Sequence, residues 1–295
     1  MCDGPDATTL IDIMKELSGF MLKLGWFSTG RGPGSRNLLR EVMDKKKEGT
    51  LDIEFSFVFC NWDNTEEPNP RKEQREQFFK MVKDYGIPLI TISWKTFRPD
   101  LWETDQERWR DEYGKEIRKK IKDKGFDLGI LAGYMLWVDD ETCSQYDFMN
   151  LHPALPDGPK GTWQEVIWQL IRENKDRQGA MMHIVTPEWD RGAPLTYCGF
   201  PIRGKGYDEL WDDLNEKLKD STLDEIIKNE GVQNPLFKKI REDGAKRELP
   251  LIVETIRKFA DGDVSIKDKK LYRDSVLLEH PYDLSEEVDR AIGEK

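Results

Sequence analysis

The sequence predicts an α/β fold: an open, mostly parallel, Rossmann-like twisted sheet with helices on both faces and helical N- and C-terminal additions. Three observations lead to this prediction. Strand-like and helix-like segments alternate from residue 22 onward, and the first strand runs through a glycine-rich turn into a helix. The 295 residues are also 37% hydrophobic and 11% aromatic, which is enough apolar surface for a folded core despite 35% charged residues.

Each predicted strand is a short run rich in apolar residues, and the helices between the strands carry apolar residues at helical spacing. We predict strands at 22–28, 53–59, 87–92, 126–131, 148–151, 180–185 and 195–201. We predict helices at 36–47, 71–85, 103–124, 163–173 and 249–260, with further helix in the highly charged segment 205–246. A short strand pair and an acidic tail complete the chain.

These elements divide the chain into three predicted parts. Residues 1–21 form a helical extension, because their apolar residues recur at roughly helical spacing. Residues 22–204 form the central domain. Residues 205–295 form a charged helical insertion and a C-terminal helix and strand segment that pack on the same domain.

Charge and cysteine content limit the function classes. With 46 Lys+Arg against 57 Asp+Glu, the net charge of −11 has the wrong sign for a nucleic-acid partner. The sequence contains neither an apolar run long enough to cross a bilayer nor the pattern of a signal peptide. The four cysteines are scattered, which argues against a disulfide framework or a cysteine zinc site. We expect a cytoplasmic protein with small-molecule substrates, without a metal, a membrane or a nucleic-acid partner, and we keep a homodimer as a hypothesis.

The glycine-rich turn covers residues 30–35, with the sequence GRGPGS. Glycines allow close backbone approach, and the free N–H groups at the start of a helix favour an anionic oxygen. The alternative is a tight connection that only needs positive φ angles. The run matches neither G-x-G-x-x-G nor the P-loop pattern, which disfavours a dinucleotide site and an ATPase.

The segment 149–156, MNLHPALP, is the most informative candidate for chemistry. Asn150 and His152 are two residues apart near the end of a strand, so their side chains share one face. An amide and an imidazole placed in this way can bind an oxygen that becomes negative, although a structural histidine is as compatible with the residue type. Asp190 follows in a constrained turn, where aspartate alone is more typical of a turn former. For His183 we favour a packed or pocket-lining role.

In combination, these segments resemble the 10-formyltetrahydrofolate-dependent formyltransferases. Residues 150–156 resemble the family's N-x-H-P-S-L-x-P motif, and 131–135 match its L-A-G-[FY]-M segment. Residues 186–192 are similar to its aspartate turn, and 32–38 approximate its opening G-x-G-S-N-L. The segment 247–262 resembles the C-terminal helix of the family branch that acts on glycinamide ribonucleotide. The resemblance covers about residues 22–275 and identifies 22–204 as the catalytic domain.

The resemblance implies transfer of a formyl group from 10-formyltetrahydrofolate to the primary amine of glycinamide ribonucleotide in purine synthesis. Asn150 and a protonated His152 would bind the negative oxygen, and Asp190 would raise the pKa of His152 and help to relay a proton. The folate-binding residues that it implies are Met135, Leu136, Val138, Thr186 and Glu188. The acceptor-binding residues that it implies are Gly32, Gly34, Ser35, Asn37, Arg110 and Glu248.

Three alternatives remain open from the sequence. The enzyme could formylate another amine, such as an amino-sugar nucleotide, or it could hydrolyse the formyl folate. A non-enzymatic nucleotide-binding regulatory module would use only the glycine-rich turn.

Overall fold

The structure, a computed structural model, describes residues 21–65, 69–188 and 190–294. The helical extension predicted over 1–21 lies outside these residues, apart from residue 21. Strands β1 to β5 cover Leu22–Ser28, Ile53–Cys60, Leu89–Thr91, Leu128–Leu131 and Phe148–His152. Strands β6 to β11 cover Arg177–Ile184, Pro194–Pro201, Ser265–Lys267, Lys270–Arg273, Val276–Leu277 and Tyr282–Asp283.

Eight strands form one sheet, in the order β11-β7-β6-β5-β4-β1-β2-β3, while β8, β9 and β10 form a small antiparallel sheet. Within the large sheet, β6 is antiparallel to both of its neighbours and the other pairs are parallel. The predicted open, mostly parallel sheet is therefore confirmed.

Ten α-helices lie in the described part of the chain. Helices α1 to α5 cover Pro33–Lys47, Pro70–Asp84, Pro99–Thr104, Gln106–Ile121 and Asp140–Gln145. Helices α6 to α10 cover Trp163–Arg172, Asp208–Lys217, Leu223–Glu230, Pro235–Ala260 and Ser285–Ala291. The first helix begins three residues earlier than predicted, so Gly34 and Ser35 belong to its first turn.

Helix α9 departs most from the prediction. It is one continuous helix of 26 residues, whereas the sequence predicted a separate helix over 249–260. Pro250 lies inside it and removes one helical hydrogen bond, which costs about 3 kcal/mol in an isolated helix. Buried residues on both sides of the proline, such as Ile240 and Leu251, show why tertiary packing keeps the helix unbroken.

Two further predictions about helices are wrong in detail. The helix predicted over 103–124 is split into α3 and α4, because the side chain of Asp105 accepts a hydrogen bond from the Arg108 N–H and begins a new helix. The predicted acidic tail contains β11 and α10, which are only two and seven residues long. Elements this short show too little periodicity to be predicted from the sequence.

Apolar side chains fill both faces of the sheet. Trp26 belongs to a buried cluster with Leu39 of α1 and Leu251 of α9, whereas its neighbour Phe27 belongs to a second cluster with Tyr113 of α4. Successive residues of a strand point to opposite faces, so helices cover the sheet on both sides. Burial of each such side chain contributes roughly 1.5–3 kcal/mol, which makes the strands a rigid support for the loops that follow them.

The carboxyl ends of β1, β4 and β5 meet at one edge of the sheet. β1 pairs with β4, and β4 with β5, all in parallel. From β1 the chain continues to β2 and β3 on one side, whereas β4 leads to β5 on the other. Open α/β sheets bind ligands where the strand order reverses in this way. The backbone N–H of Thr29, directly after β1, donates to the carbonyl of Gly133, shortly after β4, at 3.2 Å.

Candidate active site

Asn150 and His152 lie at the carboxyl end of β5, as the sequence predicts. Asn150 pairs with Leu131 on β4 and lies opposite His183 on the antiparallel strand β6. Asn150 is half-buried, while His152 is only 2% exposed. Strand register therefore places an amide beside two imidazoles, one on the same strand and one on the next.

Asp190 reaches the same place from the turn that follows β6. Its φ angle is +50°, in the left-handed region that aspartate tolerates better than most residues. One carboxylate oxygen, Oδ2, lies 3.7 Å from Nδ1 of His152, and the other, Oδ1, lies 3.4 Å from Nε2 of His183. The structure thus brings together Asn150, His152 and Asp190, which are distant in sequence, and adds His183 to them.

His183 lies where a packed or pocket-lining histidine is expected, and it has a second neighbour that the sequence does not predict. It lines the cavity described below, so the pocket-lining part of the expectation fits its position, but it also faces the carboxylate of Asp190. Its place depends on the register between β5 and β6, which residue types do not reveal. The sequence contains one weak indication that His183 lies near Asp190. His183 precedes Asp190 by seven residues, on the strand that leads into the aspartate turn.

The direction of the pKa shift of His152 differs from the expectation. Burial lowers the pKa of His152; the Pro159 carbonyl and Asp190 act in the opposite direction, and His183 and Lys160 add to the lowering. Asp190 therefore does push the pKa upward as expected, but desolvation outweighs it. Nε2 of His152 lies 3.0 Å from the Pro159 carbonyl, which can only accept, so this nitrogen carries the hydrogen.

A narrow cavity of about 30 Å³ lies between these groups. Its polar lining includes Asn150, His183 and Asp190. The rest of its lining comes from Leu131, Tyr134, Leu136, Trp137, Val138, Val185, Thr186 and Glu188. Four of the five predicted folate-binding residues, all except Met135, therefore surround the cavity. Its volume is about that of one water molecule in the liquid.

A wider groove of about 410 Å³ adjoins the cavity and shares Leu136 and Trp137 with it. The groove is also lined by Trp102, Gln106, Trp109, Arg110 and Met135. Met135 and Trp137 are 48% and 51% exposed, which is unusual for side chains of this size. The surface is apolar, with one guanidinium at its border, and its volume suits a small organic ligand.

Arg110 lies on this side of the site. Its guanidinium donates to Asp140 at 2.9 Å and to the Pro187 carbonyl at 3.4 Å. Pro187 follows Thr186, so Arg110 is placed beside the residues predicted to hold the folate. Arg110 is itself one of the residues predicted to hold the acceptor. The others are Gly32, Gly34, Ser35 and Asn37 on the glycine-rich turn and α1, and Glu248 on α9.

The glycine-rich turn leaves open space at its surface. A Cβ at Gly32 or Gly34 would meet nothing within 4 Å, so neither glycine is required by packing. Ser35 is 8% exposed and begins to approach the L-A-G-Y-M segment, since a Cβ at Gly133 would lie 3.7 Å from its hydroxyl. Asn37 is exposed, and its side chain accepts a hydrogen bond from Arg40 at 2.9 Å.

Glu248 lies on α9, beside the segment that follows β5. Its carboxylate is paired with Arg241, whose guanidinium stacks over the ring of Trp163 at 4.8 Å. Glu248 lines a small cavity together with Pro153, the residue directly after His152. Glu248 is therefore near the site, and its negative charge is paired with Arg241.

Across 21–65, 69–188 and 190–294, no group of histidine, cysteine, aspartate or glutamate side chains has the arrangement of a metal site. None of the helices in that part of the chain has the length and apolar character to cross a bilayer.

The fold and the site define a Rossmann-like α/β protein with a polar, largely buried cluster at its ligand-binding edge. Residues 32–226 match the sequence profile of the formyl transferase family, which is most of the chain. The chain therefore belongs to the formyl transferase family, in agreement with the resemblance found in its motifs. No curated protein matches it by sequence.

Several solved structures are similar to this one. The phosphoribosylglycinamide formyltransferase of Coxiella burnetii superposes with a TM-score of 0.60 and 18% identity, covering 89% of this chain and 100% of that one. Glycinamide ribonucleotide transformylase 1 of Symbiobacterium toebii gives 0.56 and 18%, covering 86% and 94%. A formyltetrahydrofolate deformylase of Pseudomonas syringae gives 0.57 and 17%, covering 87% of this chain and 67% of that one. At these identities the likeness confirms the α/β fold.

Proposed function

We propose that this protein transfers a formyl group from 10-formyltetrahydrofolate to the primary amine of glycinamide ribonucleotide, a step of purine biosynthesis. The observation that supports this most is the meeting of Asn150, His152 and Asp190 at the ligand-binding edge of a formyl transferase family fold. The similar Coxiella burnetii and Symbiobacterium toebii proteins are described as acting on this acceptor, which favours it over other amines.

The reaction forms one bond and breaks another. The amine nitrogen attacks the formyl carbon, the carbonyl oxygen becomes negative, and the bond from that carbon to the folate nitrogen then breaks. The amine loses a proton and the folate nitrogen gains one. Asn150 would donate from its amide to the negative oxygen, a contribution of about 3–4 kcal/mol in sites where one such donor has been removed.

His152 would assist from a neutral resting state. Its Nε2–H is directed at the Pro159 carbonyl in this structure, so donation to substrate requires that the 156–160 segment shift when the substrates bind. A proton acquired at Nδ1 would then be stabilised by Asp190, which lies 3.7 Å away. In this proposal His152 becomes charged only during the reaction.

The substrates would bind on either side of this cluster. The cavity beside Leu136, Val138, Thr186 and Glu188 would hold the folate ring, and because it measures about 30 Å³ it must widen first. The apolar groove would then receive the aromatic part of the folate, and Arg110 would have to exchange Asp140 for a carboxylate of the ligand in order to bind it. The phosphate would bind at the start of α1, near Ser35, where helix N–H groups favour anions.

Turnover with defined acceptors tests the proposal. The protein is incubated with 10-formyltetrahydrofolate and glycinamide ribonucleotide, an amino-sugar nucleotide or no amine, while folate absorbance is followed. Of these three incubations, we expect turnover only in the one that contains glycinamide ribonucleotide. Equal rates with all amines, or none with any of them, would contradict the proposal.

Substitution of Asn150 tests the site. Asn150→Ala should lower kcat by about 10²–10³-fold, because it removes one donor to the negative oxygen. Asn229→Ala, the same truncation on an exposed helix face, should leave kcat unchanged. A wild-type rate for the Asn150 variant would exclude its amide from the reaction.

Hydrolysis of 10-formyltetrahydrofolate is the second candidate function. The similar Pseudomonas syringae protein is described as a formyltetrahydrofolate deformylase. The cavity beside Asn150 and Asp190 also has room for about one water molecule, which is the nucleophile that a hydrolase needs. Release of formate without any amine would favour this function.

A further inference from the structure

The residues that follow His152 form a tight turn beside the sheet. The Gly158 N–H donates to the Leu155 carbonyl at 2.8 Å, which closes a four-residue β-turn with Pro156 at its second position, where proline is favoured. The next residue, Pro159, offers its carbonyl to Nε2 of His152 at 3.0 Å. The orientation of the His152 ring therefore depends on where this turn lies.

Leu155 fixes the turn to the sheet through a space that two glycines leave open. Gly179 on β6 and Gly199 on β7 pair directly across the two strands. A Cβ at Gly179 would lie 2.5 Å from Leu155 Cδ2, and a Cβ at Gly199 would lie 3.1 Å from the same atom. Neither glycine has a positive φ angle, so the backbone conformation does not require them. The space between Gly179 and Gly199, the glycine socket, is filled by the Leu155 side chain.

A hydrogen bond holds the same segment closer to its start. Nε2 of Gln178 donates to the Pro153 carbonyl at 3.0 Å, and Gln178 is only 3% exposed. Gln178 directly precedes Gly179 on β6, so this bond comes from the opposite face of the strand. The segment is thus fixed by a hydrogen bond at Pro153 and by packing at Leu155, two residues further on.

The packing of Leu155 serves the turn rather than the core. Leu155 is partly buried, and it belongs to none of the three apolar clusters found among the described residues. It also borders a surface groove of about 900 Å³, so protein does not press the turn against the sheet from that side. The glycine socket is therefore the contact that keeps this end of the turn in place.

We propose that Leu155 is a positioning residue for His152, acting through the turn that joins them. The glycine socket fixes Leu155, and the turn then places the Pro159 carbonyl where it keeps a hydrogen on Nε2 of His152. Nδ1 of the same ring is left facing Asp190, 3.7 Å away. The ring therefore meets the substrates in one orientation and one tautomer, although Leu155 itself touches no substrate. The part of this inference that concerns catalysis rests on the proposed function, and the part that concerns the ring does not.

Nitrogen NMR of the histidine rings tests the positioning without an activity assay. The chain has three histidines, so protein labelled with ¹⁵N-histidine gives few ring signals, and His152→Gln identifies those of His152. In the wild type near neutral pH, we expect His152 to carry its hydrogen on Nε2 alone. In Leu155→Ala we expect a mixture of Nε2–H and Nδ1–H forms, because the Pro159 carbonyl is no longer held in place. A mixture in the wild type, or a single form in Leu155→Ala, would overturn the proposal, whether or not the protein has formyltransferase activity.

Two further leucine variants separate positioning from a general loss of packing. Leu210→Ala is the matched control, because Leu210 is a partly buried leucine on α7 that packs against a different cluster. Its His152 signals should match the wild type. Leu155→Met keeps an apolar side chain of similar volume and should restore the single Nε2–H form. The same mixture in Leu155→Ala and Leu210→Ala would contradict the role of Leu155.

Gly199→Val tests the same contact from the side of the socket. Gly199 is the better position, because its Cβ would meet only side-chain atoms, the nearest being Arg177 Nη2 at 2.9 Å, whereas a Cβ at Gly179 would lie 2.3 Å from the Cys198 carbonyl oxygen. The valine side chain would occupy the socket and displace Leu155. We expect the same mixture of His152 forms as in Leu155→Ala. Wild-type His152 signals in a folded Gly199→Val would show that the socket does not position the ring.

Turnover by these variants tests the catalytic part. We expect kcat of formyl transfer to fall at least about 10-fold in Leu155→Ala, since a misplacement of about 1 Å can cost about 10²-fold. KM for both substrates should stay nearly unchanged, and Leu155→Met and Leu210→Ala should resemble the wild type. An effect on KM alone, or equal losses of kcat in Leu155→Ala and Leu210→Ala, would contradict the role. Absence of turnover in the wild type would refute the proposed function, and the NMR signals of His152 would still decide the positioning.

Discussion

Replacement of Gly192 by alanine tests whether the position of Asp190 controls the activity. Gly192 lies two residues after Asp190, in the same turn. A Cβ at this position would lie 1.7 Å from the carbonyl oxygen of Ile184 and 2.7 Å from its carbonyl carbon. Both are backbone atoms, and the N–H of Ile184 is bound to the Ala193 carbonyl at 2.9 Å. Rotation of a side chain cannot relieve this contact, so the turn itself must move.

The required movement is large for a catalytic group. Cβ atoms in proteins essentially never lie closer than 3.0 Å to a non-bonded heavy atom. The new Cβ would lie 1.7 Å from the Ile184 oxygen, so the turn must move by about 1.3 Å. The Asp190 carboxylate, which lies 3.4 Å from His183 and 3.7 Å from His152, would then move away from its present position between the two rings. A misplacement of about 1 Å can lower a rate about 10²-fold. Overpacking costs about 1–3 kcal/mol, less than the total stability of about 5–15 kcal/mol of most proteins, so the variant should still fold.

The assay measures kcat of the formyl transfer and the free energy of unfolding in urea. Gly244→Ala on α9 is the matched control, because the nearest atom to its Cβ would be Phe200 Cζ at 3.9 Å, an ordinary contact. That control should keep its activity and gain about 0.5–1 kcal/mol of stability from the better helix former. Wild-type kcat in a folded Gly192→Ala would refute the argument that the location of Asp190 matters.

Two further predictions concern buried charge. Asp139→Ala should lower the free energy of unfolding in urea by about 1.5–3 kcal/mol, because it removes the buried partner of the Arg118 guanidinium and leaves it with the exposed Glu141 alone. Asp140→Ala, at an exposed carboxylate, should change the free energy of unfolding by less than about 1 kcal/mol. Equal effects of the two substitutions would contradict the difference in burial. Since burial lowers the pKa of His152 from 6.5, its contribution to stability is present above pH 6.5 and is lost as the pH falls toward the folded-state pKa. His152→Gln should therefore lose less stability than the wild type between pH 7.5 and 5.5. If the free energy of unfolding in urea fell equally with pH in both proteins, the lowered pKa of His152 would be contradicted.

The sequence by itself determined the class of fold and the location of the main motifs. Runs of apolar residues identified β1, β2 and β5, because a buried strand needs such residues whatever surrounds it. The spacing of Asn150 and His152 placed both side chains on one face, since side-chain direction alternates along any strand. These features are local, and local chemistry is what a sequence records.

Only the tertiary structure decided how the distant parts meet. The pairing of β5 with β6 brought His183 opposite Asn150, and a slip of one residue in that register would have turned His183 to the other face. Burial, which depends on all surrounding elements, reversed the expected direction of the His152 pKa. Packing also kept α9 continuous through Pro250 and placed Arg110 beside the Pro187 carbonyl. Each outcome depends on residues far apart in the chain, so no short stretch of sequence could determine it.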